Sequence, residues 1–219
     1  MYLFKVRGAA QRLATVSRCA TGELDMTFAK AAFTTDPSLP EMIRGAGVGR
    51  FVIRKELSQG ERLFIDETKV KNLDKIHSLK DQERIAMQGI TGVNEVWRLK
   101  GTLVSGVYCA NSVNYIVKID NMRFLLGVFN SRLMNFYFAR FSTNSNVNGY
   151  EVDELPLILT NVSVEQKMDI ANIVDAILAA KKSDPSADTS ALEAEIDEKV
   201  FDLYNLTPEE REIVRGNGK

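Results

Sequence analysis

The chain has 219 residues, 45% of them hydrophobic and 26% charged, which is enough to bury a core as one large domain or two small ones and excludes a disordered segment. Its longest apolar stretches, such as residues 124–129, are interrupted by Gly127 and fall far short of the roughly 20 residues that a membrane-spanning helix needs. The net charge of −1 hides an asymmetry: residues 1–160 hold 21 Lys+Arg against 16 Asp+Glu, a net +5, whereas residues 161–219 hold 7 against 13, a net −6.

A polyanion such as DNA would be drawn to the first part through its phosphates and repelled by the second, whose charge suits solvent or a protein partner. A chance fluctuation would also give an excess of five charges. The opening run Met1–Arg7 lacks an apolar stretch followed by a small-residue cleavage site, so a cytoplasmic location is expected. Cys19 and Cys109, with neither a CxxC pair nor a histidine nearby, read as buried thiols rather than zinc ligands. His77, the sole histidine, reads as a loop or surface imidazole because no Ser, Cys or carboxylate constellation points to it.

Residues 11–40 carry little periodic signal and end in a turn-forming loop, Thr34–Pro40. Two strands paired with each other are expected at Arg50–Ile53 and Arg62–Ile65, separated by the Ser58-Gln59-Gly60 turn signal, and further strands at Arg84–Ile90, Leu103–Cys109 and Asn114–Ile119. The period then changes. Residues 122–138 place apolar groups three and four apart and predict one or two helices, with Asn130-Ser131 as a natural break or cap. Ser142–Gly149 is a polar tract that reads as an exposed loop.

Beyond Thr160 the spacing predicts a helix over Val164–Lys182 with Met168, Ile170, Ile173, Val174, Ile177 and Leu178 on its apolar side. A second helix is expected over Thr189–Tyr204, and a short third starting at Thr207-Pro208. The fold class expected is α+β: a sheet-rich body over 1–160, followed over 161–219 by an antiparallel helical hairpin.

The order of Ile43-Arg44-Gly45, Gly49-Arg50-Phe51, Lys75-Ile76, Arg84–Gly92, Asn111–Ile116, Phe124–Leu133, Gly149-Tyr150, Leu155-Pro156-Leu157 and Glu165-Gln166 resembles the TaqI-like C-terminal specificity domain of type IIG restriction–modification enzymes and related N6-adenine DNA methyltransferases. The resemblance covers roughly residues 45–206 and leaves the first forty unmatched. The acidic tail also looks like the helices that follow recognition domains in type I specificity subunits, where they serve as spacers and docking surfaces. The resemblance implies a DNA target-recognition domain over 1–160 and a helical spacer or docking segment over 161–219, with double-stranded DNA as one partner and the methyltransferase or nuclease portion of a parent protein as another, and with S-adenosylmethionine and Mg2+ as cofactors of that parent and none in this fragment.

No NPPY-type adenine pocket is present, and Arg44–Gly49 is glycine-rich but lacks the phosphate-loop GK[ST] ending. Asp66-Glu67-Thr68-Lys69 loosely imitates a nuclease pattern, against which stands the plainer reading of an exposed charged turn. What remains is recognition, in which basic groups position a duplex through its phosphates and Arg, Asn or Gln read base edges. Arg44, Arg50, Arg54, Lys55, Arg62, Lys69 and Lys71 are the expected basic surface, and Arg84, Gln88, Asn94 and Arg98 the expected readers. Asn144, Asn146 and Asn148 either enter a groove or form turns. The competing functional class is a protein-interaction or scaffold module that works through its helical tail.

Overall fold

A computed structural model of the chain describes residues 11–55, 61–71, 73–117, 119–159 and 162–216. The opening run Met1–Arg7, the Ser58-Gln59-Gly60 turn and the boundary residue Thr160 lie outside the described residues.

The strands run in order β1 (Gln11–Arg12), β2 (Cys19–Thr21), β3 (Phe33–Thr34), β4 (Glu41–Ile43), β5 (Val48–Gly49), β6 (Val52–Ile53), β7 (Leu63–Ile65), β8 (Arg84–Gln88), β9 (Gly101–Val104), β10 (Tyr108–Cys109), β11 (Val113–Ile116) and β12 (Pro156–Leu157). The helices are α1 (Leu73–Lys80), α2 (Met122–Phe129), α3 (Arg132–Phe141), α4 (Gly149–Asp153), α5 (Val164–Ser183), α6 (Ser190–Leu203) and α7 (Pro208–Arg215). The fold is α+β.

An antiparallel sheet of order β2-β11-β8-β9 lies at the centre. Because side chains alternate across a strand, Ile85, Met87 and Ile116 enter the core shared with the helices, while Ala86, Val113 and Tyr115 enter a second cluster on the opposite face. With both faces covered, β8 reads as a continuous apolar run over Ile85-Ala86-Met87, and β11 is buried along its whole length, polar Asn114 included. A second sheet, β10-β4-β7-β3, is antiparallel except for the parallel β10–β4 pair and packs around Leu24, Met42, Ile65 and Tyr108.

Two expected strands are divided. Residues 103–109 belong to β9 and β10, which join different sheets, and Gly106 at φ 73° turns the chain between them in a conformation that favours glycine. Residues 50–53 belong to a hairpin rather than to one strand, and they do not pair with Leu63–Ile65, which lies between β4 and β3 in the second sheet. Gly49 pairs with Val52, and the turn holds buried Phe51 at φ 59°, because its ring contributes to the main core.

Residues 122–138 form two helices that break at Asn130-Ser131. Ser131 caps α3 by accepting from the Met134 N–H at 3.3 Å and donating to the Val128 carbonyl at 2.7 Å. The helical tail shares its core with the body, since Ile170, Ile173, Val174, Ile177, Ile196 and Val200 are buried in the same cluster as α2 and α3. Those α5 positions follow i, i+3, i+4, i+7; Met168, two residues before Ile170, points about 200° away around the helix and is exposed. Close approach explains Gly127: a Cβ there would stand 2.5 Å from Cγ2 of Ile170 and 3.1 Å from Cγ2 of Val174. The hairpin is antiparallel, as Lys199 near the end of α6 pairs with Asp169 near the start of α5 at 3.2 Å. Ser163 with Gln166 and Thr207 with Glu210 form capping boxes that start α5 and α7.

Candidate nucleic-acid interface

Two loops form one surface. The Thr91 N–H donates to Ser145 O at 2.8 Å, Val147 N–H to Gly89 O at 2.9 Å, and Ile90 bridges Asn146, so residues 89–91 and 145–147 pair beyond the end of β8. Asn114, on the neighbouring strand, adds a bond from Nδ2 to Val147 O at 2.5 Å. The tract Ser142–Gly149 is therefore pinned at Val147, which is buried, and exposed only at residues 143–146.

Arg98 closes the unit from below. Only 1% exposed, it donates from Nε to Thr91 Oγ1 at 3.1 Å, from Nη1 to Ser142 O at 3.1 Å, and from Nη2 to Ser142 Oγ at 3.2 Å and Asn144 O at 2.6 Å. Asn135 on α3 holds the same loop by its main chain: Oδ1 accepts from Arg98 N–H at 2.7 Å and Leu99 N–H at 3.2 Å, and Nδ2 donates to Val96 O at 2.7 Å. A side chain with three such bonds in a helical register is a support for its neighbour rather than a solvated polar residue.

The resulting outer face is rich in amides and aliphatic groups and nearly free of charge. Ile90 is 57% exposed, Val96 80% and Tyr150 68%, beside exposed Asn94, Asn144 and Asn146. Gln88 Nε2 donates to Ile90 O at 2.6 Å, which fixes its amide at the edge of this face. Residues 141–150 contain no charged side chain, and Glu95 is tied to Lys100. Burial raises the Glu95 pKa, but hydrogen bonds from Lys100 and the Gly92 N–H, with the charges of Lys100 and Arg54, outweigh it and leave the carboxyl below its ordinary value.

Exposed basic groups lie on segments next to these loops. Arg54 is exposed and acts electrostatically on Glu95. Arg18 is largely exposed, with Nη1 3.4 Å from Asp153 Oδ2, and Arg140 is exposed over the Phe136 ring with its Cζ 3.2 Å from the centroid. Neither Arg18 nor Arg140 is marked by any pattern in the sequence: isolated basic residues next to loops that pair only in three dimensions carry no signal without the fold.

Of the expected readers, Asn94 and Gln88 lie on this face, but Arg84 and Arg98 are corrected by the structure. Arg84 is 0% exposed: it forms an ion pair with Glu23 at 2.9 Å, donates to Val107 O at 2.5 Å and lies over the Tyr115 ring at 4.9 Å. Neither guanidinium can reach a base edge, because each is buried and bonded inside the protein. Both are internal ties, with Arg98 shaping the surface that it was expected to form.

The expected basic surface is likewise divided. Arg62 makes a two-pronged pair with Glu41 at 2.8 and 2.7 Å, Lys69 pairs with Asp66 at 2.8 Å, and Arg44 donates to Glu61 O at 2.7 Å. Arg50 is turned inward to Glu193 and the Asn130 carbonyl. Arg54, Lys55 and Lys71 are exposed and without an ion-pair partner among the described residues. Lys55 borders a groove of about 590 Å³ with Lys181 and Lys182, away from the paired loops.

Asp66 and Glu67 serve separate partners. Asp66 caps a turn by accepting from Thr68 N–H at 3.2 Å, while Glu67 accepts from the Tyr108 hydroxyl at 2.6 Å and pairs with Lys80 at 3.0 Å. His77 is half-exposed beside Glu67 Oε1 at 3.8 Å. The glycine-rich turn is packed against its own chain: Gly45 N–H donates to Ser112 Oγ at 3.0 Å and Gly47 N–H to Arg44 O at 2.9 Å, so these two amides do not fit a cradle for a phosphate or methyl donor. Burial pushes the Cys19 and Cys109 thiols up to about 12, which keeps both protonated at neutral pH.

No protein-family profile and no curated protein matches the chain. Among solved structures, the type IIL restriction–modification enzyme MmeI in complex with DNA matches 94% of this chain with a TM-score of 0.59 at 12% identity. The HsdS subunit from Thermoanaerobacter tengcongensis matches 92% with a TM-score of 0.42 at 10% identity. The chain spans 35% of the MmeI chain and 49% of the HsdS chain. The α+β fold described above is thus one that this chain shares with a segment of MmeI.

Proposed function

We propose that the chain recognises a specific sequence in double-stranded DNA and is the target-recognition part of a restriction–modification protein of the type IIG kind, without catalysis of its own. The observation that carries this reading is the outer face of residues 88–97 and 143–150. Neutral amides and exposed aliphatic groups are held there by buried Arg98, with Arg18, Arg54 and Arg140 exposed on segments next to its loops. Amides discriminate base edges, aliphatic groups meet the thymine methyl, and bordering cations take the phosphates. A surface already fixed by protein–protein bonds loses little further entropy on binding. The fold shared with MmeI, a protein whose structure is of a complex with DNA, supports the assignment. Methyl transfer from S-adenosylmethionine and Mg2+-dependent cleavage belong, in this reading, to the remainder of the parent, for which the acidic outer side of α5–α7 is the docking side.

A second reading, a protein-interaction module, draws on exposed Val164 and Met168 at the start of α5. Selection from a pool of random duplexes separates the two. Enrichment of one sequence, with affinity falling steeply as salt rises, supports recognition; recovery of unenriched DNA overturns it.

A further inference from the structure

The loop that carries Asn94 and Val96 ends on Trp97, and Trp97 rests on a residue governed by the helical tail. The Arg50 guanidinium lies over the Trp97 ring with its Cζ 3.5 Å from the centroid. One nitrogen of Arg50 pairs with Glu193 on α6, and the other donates to Asn130 O at 2.9 Å. Glu193 is itself fixed, since Oε1 accepts from the Thr189 hydroxyl at 2.6 Å at the start of the same helix. Arg50 Nε is buried without a hydrogen-bond partner, so the guanidinium is held by its bonds to Glu193 and one carbonyl, by the ring it faces and by the more distant charge of Asp197. A second guanidinium, Arg132, stands 5.6 Å from the same ring and pairs with Asp197, one turn along α6 from Glu193. Two carboxylates of the tail thus set two cations against the only tryptophan of the chain.

We propose that Glu193 is a positioning residue for the base-reading loop: through Arg50 it fixes Trp97, and the seating of the tail helices on the body thereby sets the geometry of Asn94 and Val96. This rests on the reading of residues 88–97 as a DNA-contacting surface. A parent protein that holds the tail would then bias what the loop reads, through one contiguous chain of packed side chains.

The test uses Glu193→Ala and Glu193→Gln in the full chain, with Lys199→Ala, whose bond to Asp169 lies within the tail, as a control. Two measurements are made: acrylamide quenching of Trp97 emission without DNA, and the affinity ratio for the selected duplex over a scrambled one. Glu193→Ala is expected to strengthen quenching and to reduce the affinity ratio by roughly twofold to thirtyfold, the span of coupling that packed networks carry, with an unchanged salt slope. Glu193→Gln falls between it and the wild type, and Lys199→Ala matches the wild type. If the wild type discriminates while Glu193→Ala retains both its quenching and its affinity ratio, the positioning role is overturned and the DNA reading stands. If the wild type prefers no duplex, the DNA reading falls, and the quenching result then decides the link alone: stronger quenching upholds it and unchanged quenching overturns it.

Discussion

The carboxamide of Asn130 pairs with both main-chain groups of Gly101, accepting from its N–H at 3.0 Å and donating to its carbonyl at 2.8 Å, as a neighbouring strand would. The Gly101 carbonyl also accepts from Phe51 N–H at 2.8 Å, so the end of α2, the edge strand β9 and the β5–β6 hairpin converge on one residue. Asn130→Ala is expected to cost about 1–3 kcal/mol, because a buried amide N–H is left without a partner. Asn130→Asp should be worse, since it places a charge against the Gly101 carbonyl. Urea unfolding reads both, and a loss below 1 kcal/mol for Asn130→Ala would contradict the role.

Arg98 is expected to act on DNA only through the loops it joins. Arg98→Met keeps much of the packing volume but strands Thr91, Ser142 and Asn144, and should destabilise the protein by about 3 kcal/mol or more. Amide exchange at residues 143–146 should accelerate beyond that at β8. Discrimination between duplexes should fall while the slope of log affinity against log salt is unchanged, because no phosphate contact is lost. A reduced slope would return Arg98 to the DNA surface.

The α+β division, the break at Asn130-Ser131 and the three tail helices were legible in the sequence because each depends on local signals: period, caps and breakers. The functional surface was legible only in fragments. Asn94 and the Asn144–Asn148 tract are visible as polar loops, yet nothing local says that Ile90 pairs with Asn146 across more than fifty residues. Arginine is the residue whose role is least legible in the sequence. Its type suits phosphate, base edge, buried carboxylate and aromatic ring equally well, and only burial distinguishes Arg84 and Arg98, bonded inside, from Arg18, Arg54 and Arg140 at the surface. The charge excess of residues 1–160 was informative as a sum but did not locate the face.

Border and centre of the proposed interface should respond differently. Arg18→Ala or Arg140→Ala should weaken all duplexes alike and reduce the salt slope by about one unit for each phosphate contact removed. Asn94→Ala or Asn146→Ala should instead relax preference at one base pair by about 1–3 kcal/mol with the slope retained. Titrations of matched and single-mismatch duplexes at two salt concentrations give both quantities. If all four substitutions scale every duplex equally, the division into border and reading groups is wrong.

Asp197 gives a pH test of the junction between tail and body. It accepts from Arg132 N–H at 2.7 Å and pairs with Arg132 Nε at 3.1 Å, yet burial outweighs these bonds and the attraction of Arg50 and Arg132, and raises its pKa above the ordinary carboxylate value. A raised pKa means that the folded state holds this proton more tightly than the unfolded chain does. Its contribution to stability is therefore fully present below the unfolded value and is lost as pH rises through the higher folded value. Asp197→Asn mimics the protonated form at every pH. Its stability relative to the wild type should accordingly rise as pH increases across that window and then level off, whereas Asp197→Ala, which strands the Arg132 N–H and guanidinium, should be less stable than the wild type throughout. Denaturant unfolding of the three proteins between about pH 3.5 and 7.5, bracketing the ordinary carboxylate range, tests the sign. A gap between wild type and Asp197→Asn that moves the other way would show that the ion pairs, not desolvation, govern this carboxylate.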